Sequence, residues 1–149
     1  MLRQTIKFLT ALLVLLVTGS TGAWAETKDI TYLDYVGGTA GFAEATHSAT
    51  KITSTSDDLS GWYYVEGTVT ISRKLYLIGH THLILCDGAE LIINSTNDHG
   101  IDANFNGYDL IIYAQSSGPH AGKLTINSMY EAISGAPYLT INGGNISAT

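Results

Sequence analysis

Three short apolar runs in the second half of the chain decide the fold: Leu83-Ile84-Leu85, Leu110-Ile111-Ile112 and Leu139-Thr140-Ile141. Each is followed by a turn-forming stretch and by a second short run that a small residue introduces: Ala89-Glu90-Leu91, Gly122-Lys123-Leu124 and Gly144-Asn145-Ile146. The first set is spaced by 27 residues (83 to 110) and then by 29 (110 to 139). A period of this length is typical of stacked repeats. Because the units are short and rich in β-branched residues, we predict an all-β chain whose repeats are coils of a parallel β-solenoid.

An antiparallel meander is the alternative fold for part of this pattern. Strand-length runs between Trp62 and Ile93 are separated only by brief turn signals such as Gly67 and Asp87-Gly88, as in hairpins. The later runs Gly100-Ile101 and Ala132-Ile133 are too short for hairpin arms and favour the solenoid. The apolar positions of the first set of runs should then point inward in register: Leu83, Leu85, Leu110, Ile112, Leu139 and Ile141.

The N-terminus has the pattern of a secretory signal peptide. Arg3 and Lys7 precede an apolar run over residues 8–17, and Ala23-Trp24-Ala25 supplies the small-x-small cleavage pattern. The run is shorter than the roughly 20 apolar residues of a membrane span. We therefore expect residues 1–25 to be a signal peptide, no membrane span after its cleavage, and a secreted, extracellular or cell-surface location.

The remaining chain is acidic and forms two regions. Five basic residues stand against 13 acidic ones after residue 25, so its formal charge is −8, which argues against nucleic-acid binding. Residues 26–60 are expected to be an irregular cap, with a strand at Thr31–Val36, a short helix at Ala40–Ala49 and loop over residues 46–60. Residues 61–149 are expected to hold the coils. An open last coil exposes backbone edges, so we expect a C-terminally truncated fragment with further domains of the same longer protein.

The segments Gly61–Ile71, His82–Leu91, Asp109–Ser116 and Leu139–Gly144 resemble a recurrent domain of secreted bacterial surface proteins. Such domains are described as right-handed β-helix, pectin-lyase-like or carbohydrate-binding regions. The resemblance implies a right-handed parallel β-helix of a few coils, and a polysaccharide or host glycan as partner. It also raises the alternative of a polysaccharide-cleaving enzyme, although fold does not imply function.

Aromatic rings are the candidate ligand-binding groups. Rings with little rotamer freedom form good platforms for the apolar faces of sugars. The candidate rings belong to Trp62, Tyr63, Tyr64, Tyr76, Tyr108 and Tyr138. We predict binding through Tyr63, Tyr64, Tyr108 and Tyr138, with Tyr108 and Tyr138 stacked because they precede equivalent strands. The structural alternative is that these rings fill the core or stabilise the outside of the coils.

No catalytic set is predicted. A glycosidase needs two carboxyl groups flanking the scissile bond, and Asp57-Asp58 falls outside the expected coils. We therefore predict a non-catalytic module that is carbohydrate-binding or adhesive, with a passive structural spacer as a further alternative.

One pattern resembles the start of a calcium loop. Asp102, Asn104 and Asn106 are followed by Gly107 in the D-x-[DN]-x-[DN]-G order. Tyr113 stands where an EF-hand places its bidentate glutamate. The alternative is a polar corner between two coils. No cofactor is predicted, with calcium as a possible ligand of these three residues.

Overall fold

The computed structural model describes residues 25–38, 41–104 and 106–149 of the 149-residue chain. The predicted signal peptide therefore lies outside the described residues, apart from Ala25. The described residues form strands and contain no α-helix. The strands are β1 (Thr27–Gly37), β2 (Gly41–Lys51), β3 (Asp58–Val65), β4 (Thr68–Ile71), β5 (Leu75–Leu85), β6 (Glu90–Ser95), β7 (Ile101–Asp102), β8 (Leu110–Ala114), β9 (Lys123–Ser128), β10 (Ile133–Ser134), β11 (Leu139–Ile141) and β12 (Asn145–Ala148).

All pairings after the first hairpin are parallel. One sheet has the order β1-β2-β3-β5-β7-β10, and within it β8 pairs with both β5 and β11. The second sheet has the order β12-β9-β6-β4. Since β3 pairs with β5, and β4 with β6, in the parallel sense, the antiparallel meander is wrong for the segment from Trp62 to Ile93. The chain is all-β with parallel sheets, as the sequence predicts.

The register refines the repeat. Thr81 aligns with Leu110, and Leu110 aligns with Leu139, so the period is 29 residues in both steps (81 to 110 to 139). The sequence pattern placed Leu83 opposite Leu110, which is wrong by two residues, because Leu83 aligns with Ile112. A shift of two keeps every side chain on its own face of the strand. The second set of runs is aligned as predicted, Leu91 with Leu124 and Leu124 with Ile146.

Leucine and isoleucine side chains from both sheets fill a continuous core. The predicted inward positions Leu83, Leu85, Leu110 and Ile112 are at most 1% exposed. Leu139 and Ile141 align with Leu110 and Ile112, as the predicted register requires, but they are 45% and 49% exposed. Among the described residues β11 has a neighbour on one side only, so nothing covers these two side chains.

The N-terminal region is a regular hairpin. Strands β1 and β2 pair antiparallel, for example Tyr32 with Ala45. The strand expected at Thr31–Val36 is confirmed within β1, whereas the helix at Ala40–Ala49 is wrong because those residues lie in β2 apart from residue 40, which is not described. Helix propensity is a weak prior, and pairing with a full-length partner strand overrides it. The irregular cap and the long loop are likewise corrected, since only residues 52–57 connect β2 to β3.

The hairpin adds a second apolar layer to the outside of the first sheet. Tyr64, Ile84 and Tyr113 align across β3, β5 and β8 one residue away from the inward positions, so they face outward. They are nevertheless at most 4% exposed, because the hairpin covers them. Tyr32 of β1 places its ring 4.6 Å from that of Tyr113. Gln115 Nε2 also donates a hydrogen bond to the carbonyl of Thr31 at 3.2 Å.

Candidate functional site

A groove of about 430 Å³ runs beside the start of β5 and combines polar side chains with an exposed aromatic ring. Leu75 and Leu77 are buried on the inner side of this strand. The alternation of a strand therefore turns Tyr76 outward, where it is 39% exposed. Its neighbours on the adjacent strands are Asp58 of β3 and Asp102 of β7. The groove itself is lined by Asp57, Ser72, Arg73, Lys74, Tyr76, Ser95, Thr96, Asn97 and Asp98.

Lys74 organises the acidic side of this groove. Its Nζ lies 2.9 Å from Oδ2 of Asp98 and 3.2 Å from Oδ2 of Asp102. It also lies 4.6 Å from the centre of the Tyr76 ring, within the range of a cation–π contact. The hydrogen bond to Asp98 raises the pKa of Lys74, and the same contact holds the pKa of the Asp98 carboxyl below its usual value. Lys74 is therefore charged at neutral pH, and its ammonium group is shared between the two carboxylates.

Arg73 fixes the opposite wall. Its guanidinium donates to the carbonyl oxygens of Ser54 and Ser56 at 3.3 and 2.8 Å, and to Oδ1 of Asp57 at 3.3 Å. These contacts fasten the segment between β2 and β3 to the edge of the groove. Asp57, which the sequence pattern placed away from any coil, is thereby brought next to the β5 surface.

The predicted metal ligands are only partly brought together. Asp102 is 7% exposed, and its Oδ1 accepts the backbone N–H of Asn104 at 2.7 Å while its Oδ2 faces Lys74. Asn104 has a positive φ of 49°, and the Asn106 N–H bonds to the carbonyl of Ala103. This is the hydrogen bonding of a polar corner. In the described part of the chain, no three His, Cys, Asp or Glu side chains are grouped so that they could hold a metal ion.

The four predicted aromatic ligands do not form one surface. Tyr64 is fully buried under the hairpin and Tyr63 is half-buried. The expected stacking of Tyr108 on Tyr138 is wrong, because the register of β8 and β11 aligns Tyr138 with Asp109. Tyr108 instead makes an edge contact with His80 at 6.0 Å, and Tyr138 is 72% exposed.

Two features of the surface are not predicted as binding sites by the sequence pattern. Tyr76 is one of the candidate rings but not one of the four predicted ligands, although its place between Leu75 and Leu77 is a signal that it faces outward. The second feature is a stack of rings in which Trp62 lies between His47 and His82, with 4.0 Å between centres on both sides. These residues come from β2, β3 and β5, so only the pairing of distant strands assembles the stack.

The chemistry of the groove is that of hydrogen bonding and stacking. An exposed ring offers an apolar face. The carboxylates of Asp57 and Asp98 are acceptors, and Asn97 and Thr96 carry both donors and acceptors. An acid catalyst of glycoside hydrolysis needs a raised carboxyl pKa, and the contact with Lys74 shifts the pKa of Asp98 in the opposite direction.

No family model, curated protein or solved structure matches this chain. In the residues that the structure describes, no helix is long and apolar enough to cross a membrane.

Proposed function

We propose that the chain is an exported or surface-displayed, non-catalytic module with a right-handed parallel β-helix fold, and that it binds a glycan in the Tyr76 groove. The fold proposal rests on successive parallel pairings with a 29-residue period. Parallel strands in one sheet need crossover connections, and about 98% of such connections are right-handed. The export proposal rests on the signal-like pattern of residues 1–25.

The single observation that carries the glycan proposal is the exposed Tyr76 ring between carboxylates. Asp58 occupies the position beside Tyr76 on β3, and Asp57 and Asp98 line the same groove. Sugar hydroxyl groups donate hydrogen bonds to carboxylates, while the C–H face of a pyranose packs on an aromatic ring. One exposed ring with acceptors at its edge fits both needs.

The charge of the groove favours a neutral glycan. Lys74 is shared between two carboxylates, and Arg73 is bound to Asp57 and to two backbone carbonyls. Both cations are thus compensated within the protein. An acidic sugar would face Asp57 and Asp98 with no free cation among the groove residues, whereas a neutral one meets only hydrogen-bond acceptors and donors.

A glycan array followed by titration calorimetry tests this proposal. We expect the exported chain to bind a neutral oligosaccharide, and Tyr76→Ala to weaken binding by about 2- to 10-fold, since an aromatic contact contributes about 0.5–1.5 kcal/mol. Tyr35→Ala is the matched control, because Tyr35 is also exposed but lies on the hairpin. Tyr138→Ala tests the ring predicted from the sequence.

A reducing-end assay on the same glycans separates the alternatives. Binding without release of new sugar ends supports the module. Release of reducing or unsaturated ends would instead establish a polysaccharide-cleaving enzyme. Absence of both binding and cleavage across the array would favour a passive structural spacer and contradict the glycan proposal.

A further inference from the structure

Two asparagines of the chain are followed directly by glycine, in the pairs Asn106-Gly107 and Asn142-Gly143. Asparagine is one of the thermolabile residues of proteins. Its side-chain amide carbon is open to attack by the peptide nitrogen of the next residue, and this attack is least hindered before glycine, which has no Cβ. Since both pairs have the same local chemistry, a difference in their reactivity must come from the folded structure.

Asn106 and Gly107 lie at an open corner between β7 and β8. Both residues are exposed. The Asn106 N–H donates to the carbonyl of Ala103 at 3.1 Å, which holds the start of the corner in a turn. Gly107 has a φ of 77°, and a Cβ added to it would meet no atom within 4 Å. Packing therefore shields neither the amide carbon of Asn106 nor the peptide nitrogen of Gly107.

The second pair is held on both sides. Nδ2 of Asn142 donates to Oδ1 of Asp34 at 3.2 Å, and the Asn142 N–H donates to the carbonyl of Ile112 at 2.8 Å. A Cβ added at Gly143 would lie 2.9 Å from Cβ of Ala114, so the backbone of this turn packs closely against β8. Ring closure would require the side chain to leave Asp34 and the backbone to move against β8. The fold thus restrains one pair and leaves the other accessible.

We propose that Asn106 is a site of spontaneous covalent modification, at which the chain converts to aspartate and isoaspartate without an enzyme. The peptide nitrogen of Gly107 forms a bond to Cγ of Asn106, the bond from Cγ to Nδ2 breaks, and ammonia leaves with the proton of the peptide nitrogen. Water then opens the cyclic imide. Breaking the bond from nitrogen to Cγ gives aspartate, whereas breaking the bond from nitrogen to the main-chain carbonyl carbon gives isoaspartate.

The modification adds one negative charge to the corner that carries the calcium-loop pattern. Because β7 ends at Asp102 and β8 begins at Leu110, Asn106 belongs to neither strand. The parallel pairings of both strands do not involve it. The products therefore keep the fold and differ from the initial chain by one unit of charge and, in isoaspartate, by a longer backbone path at the corner.

Peptide mapping by mass spectrometry tests the proposal on the unaltered exported chain, stored in warm, mildly alkaline buffer. We expect conversion at Asn106 to be about 10- to 100-fold faster than at Asn142, because holding reacting groups out of place costs rate on this order. In concentrated urea, where neither pair is restrained, both should convert at similar rates. Equal rates at the two sites in the folded chain, or a faster reaction at Asn142, would overturn the proposal.

Two variants serve as controls. Asn106→Gln should abolish conversion at this position, since the longer side chain must close a larger ring. Asp34→Ala frees the amide of Asn142 and should raise the rate at Asn142 while leaving the rate at Asn106 unchanged. Far-UV circular dichroism checks the folding of both variants. If either fails to fold, the comparison of native buffer with urea still decides, because it needs no substitution. An Asn106 that converts in urea but not in native buffer would also overturn the proposal.

Discussion

The indole ring of Trp62 lies flat against the imidazole of His82, with 4.0 Å between ring centres and 8° between ring planes. His47 covers the other face of the indole at the same distance, and the Tyr113 hydroxyl lies 3.1 Å from Nδ1 of His82. The stack joins the N-terminal hairpin to β3 and β5, so it couples an antiparallel element to the parallel sheet. Its contribution to stability is measurable.

Replacement of the central ring should destabilise the domain. We expect Trp62→Ala to lower the free energy of unfolding by about 3 kcal/mol, the lower end of the range for large aromatic deletions, because Trp62 is only partly buried. His47→Ala removes an exposed ring from the same stack and should cost less. Urea unfolding followed by circular dichroism measures both, and equal costs for the two variants would contradict a central role for Trp62.

The same stack makes stability dependent on pH. Burial lowers the pKa of His82, and the nearby His47 and His80 lower it further, whereas Asp34 raises it. The unfolded chain therefore binds a proton at His82 more readily than the folded chain does. The contribution of neutral His82 to the free energy of unfolding is fully present above the unfolded pKa of about 6.5. It falls as the pH drops below that value.

Thermal unfolding between pH 7.5 and pH 5 checks that sign. We expect His82→Gln to lose less of its melting temperature over this interval than the unaltered chain loses. His120→Gln, at an exposed histidine outside the stack, is the control and should follow the unaltered chain. An identical pH profile for His82→Gln and the unaltered chain would show that this imidazole is not the titrating group.

Lys74 should matter more for stability than an exposed lysine. Lys74→Met leaves the largely buried Asp102 carboxylate without its cation, and we expect a loss of about 3 kcal/mol. Lys28→Met breaks an exposed pair with Glu66 and should cost less than about 1 kcal/mol. Chemical denaturation of both variants gives the comparison. Similar costs would mean that Asp102 is well solvated after Lys74 is removed.

Calcium should not stabilise the protein appreciably. Asp102 already faces Lys74 and accepts a backbone N–H, so a cation at Asp102, Asn104 and Asn106 would have to displace an ammonium group. We expect equal melting temperatures in millimolar calcium and in chelator. A rise in calcium that disappears in the exposed-site variant Asn106→Ala would instead establish the calcium loop that the sequence pattern suggests.

Close approach between neighbouring parts of the chain can be tested at glycine. A Cβ added at Gly122 would clash with the carbonyl oxygen of Cys86, so Gly122→Ala should destabilise by about 1–3 kcal/mol. Gly67→Asn is the control, because Gly67 has open space around it and a φ of 69°, which asparagine tolerates. If Gly122→Ala unfolds at the same denaturant concentration as the unaltered chain, the close approach is not real.

The repeat and its parallel strands could be predicted from the sequence. Apolar residues at alternate positions, such as Leu83 and Leu85, define an inward face by themselves, and the spacing of such runs gives the period to within two residues. The exact pairing of Leu83 with Ile112 could not be predicted. A shift of two residues preserves the face of every side chain, so the hydrophobic pattern does not distinguish the two registers.

The candidate groove could be predicted only in part. The alternation Leu75-Tyr76-Leu77 places the ring on the outside of the sheet. The position of Asp57 beside the groove depends instead on Arg73, which binds the segment before β3. Likewise, only the register of β5 and β7 shows that Asp102 lies beside Tyr76. These are contacts between residues that are distant in sequence, and no local preference encodes them.

The sequence by itself determined that the chain is all-β, where its strands repeat and which of their faces are apolar, because alternation and turn residues are local properties. Only the tertiary structure decided that residues 41–49 join a strand, that Tyr64 is buried and that Leu139 is exposed. The physical reason is that burial depends on what covers a residue. A hairpin lies over Tyr64, whereas no further strand among the described residues lies over Leu139.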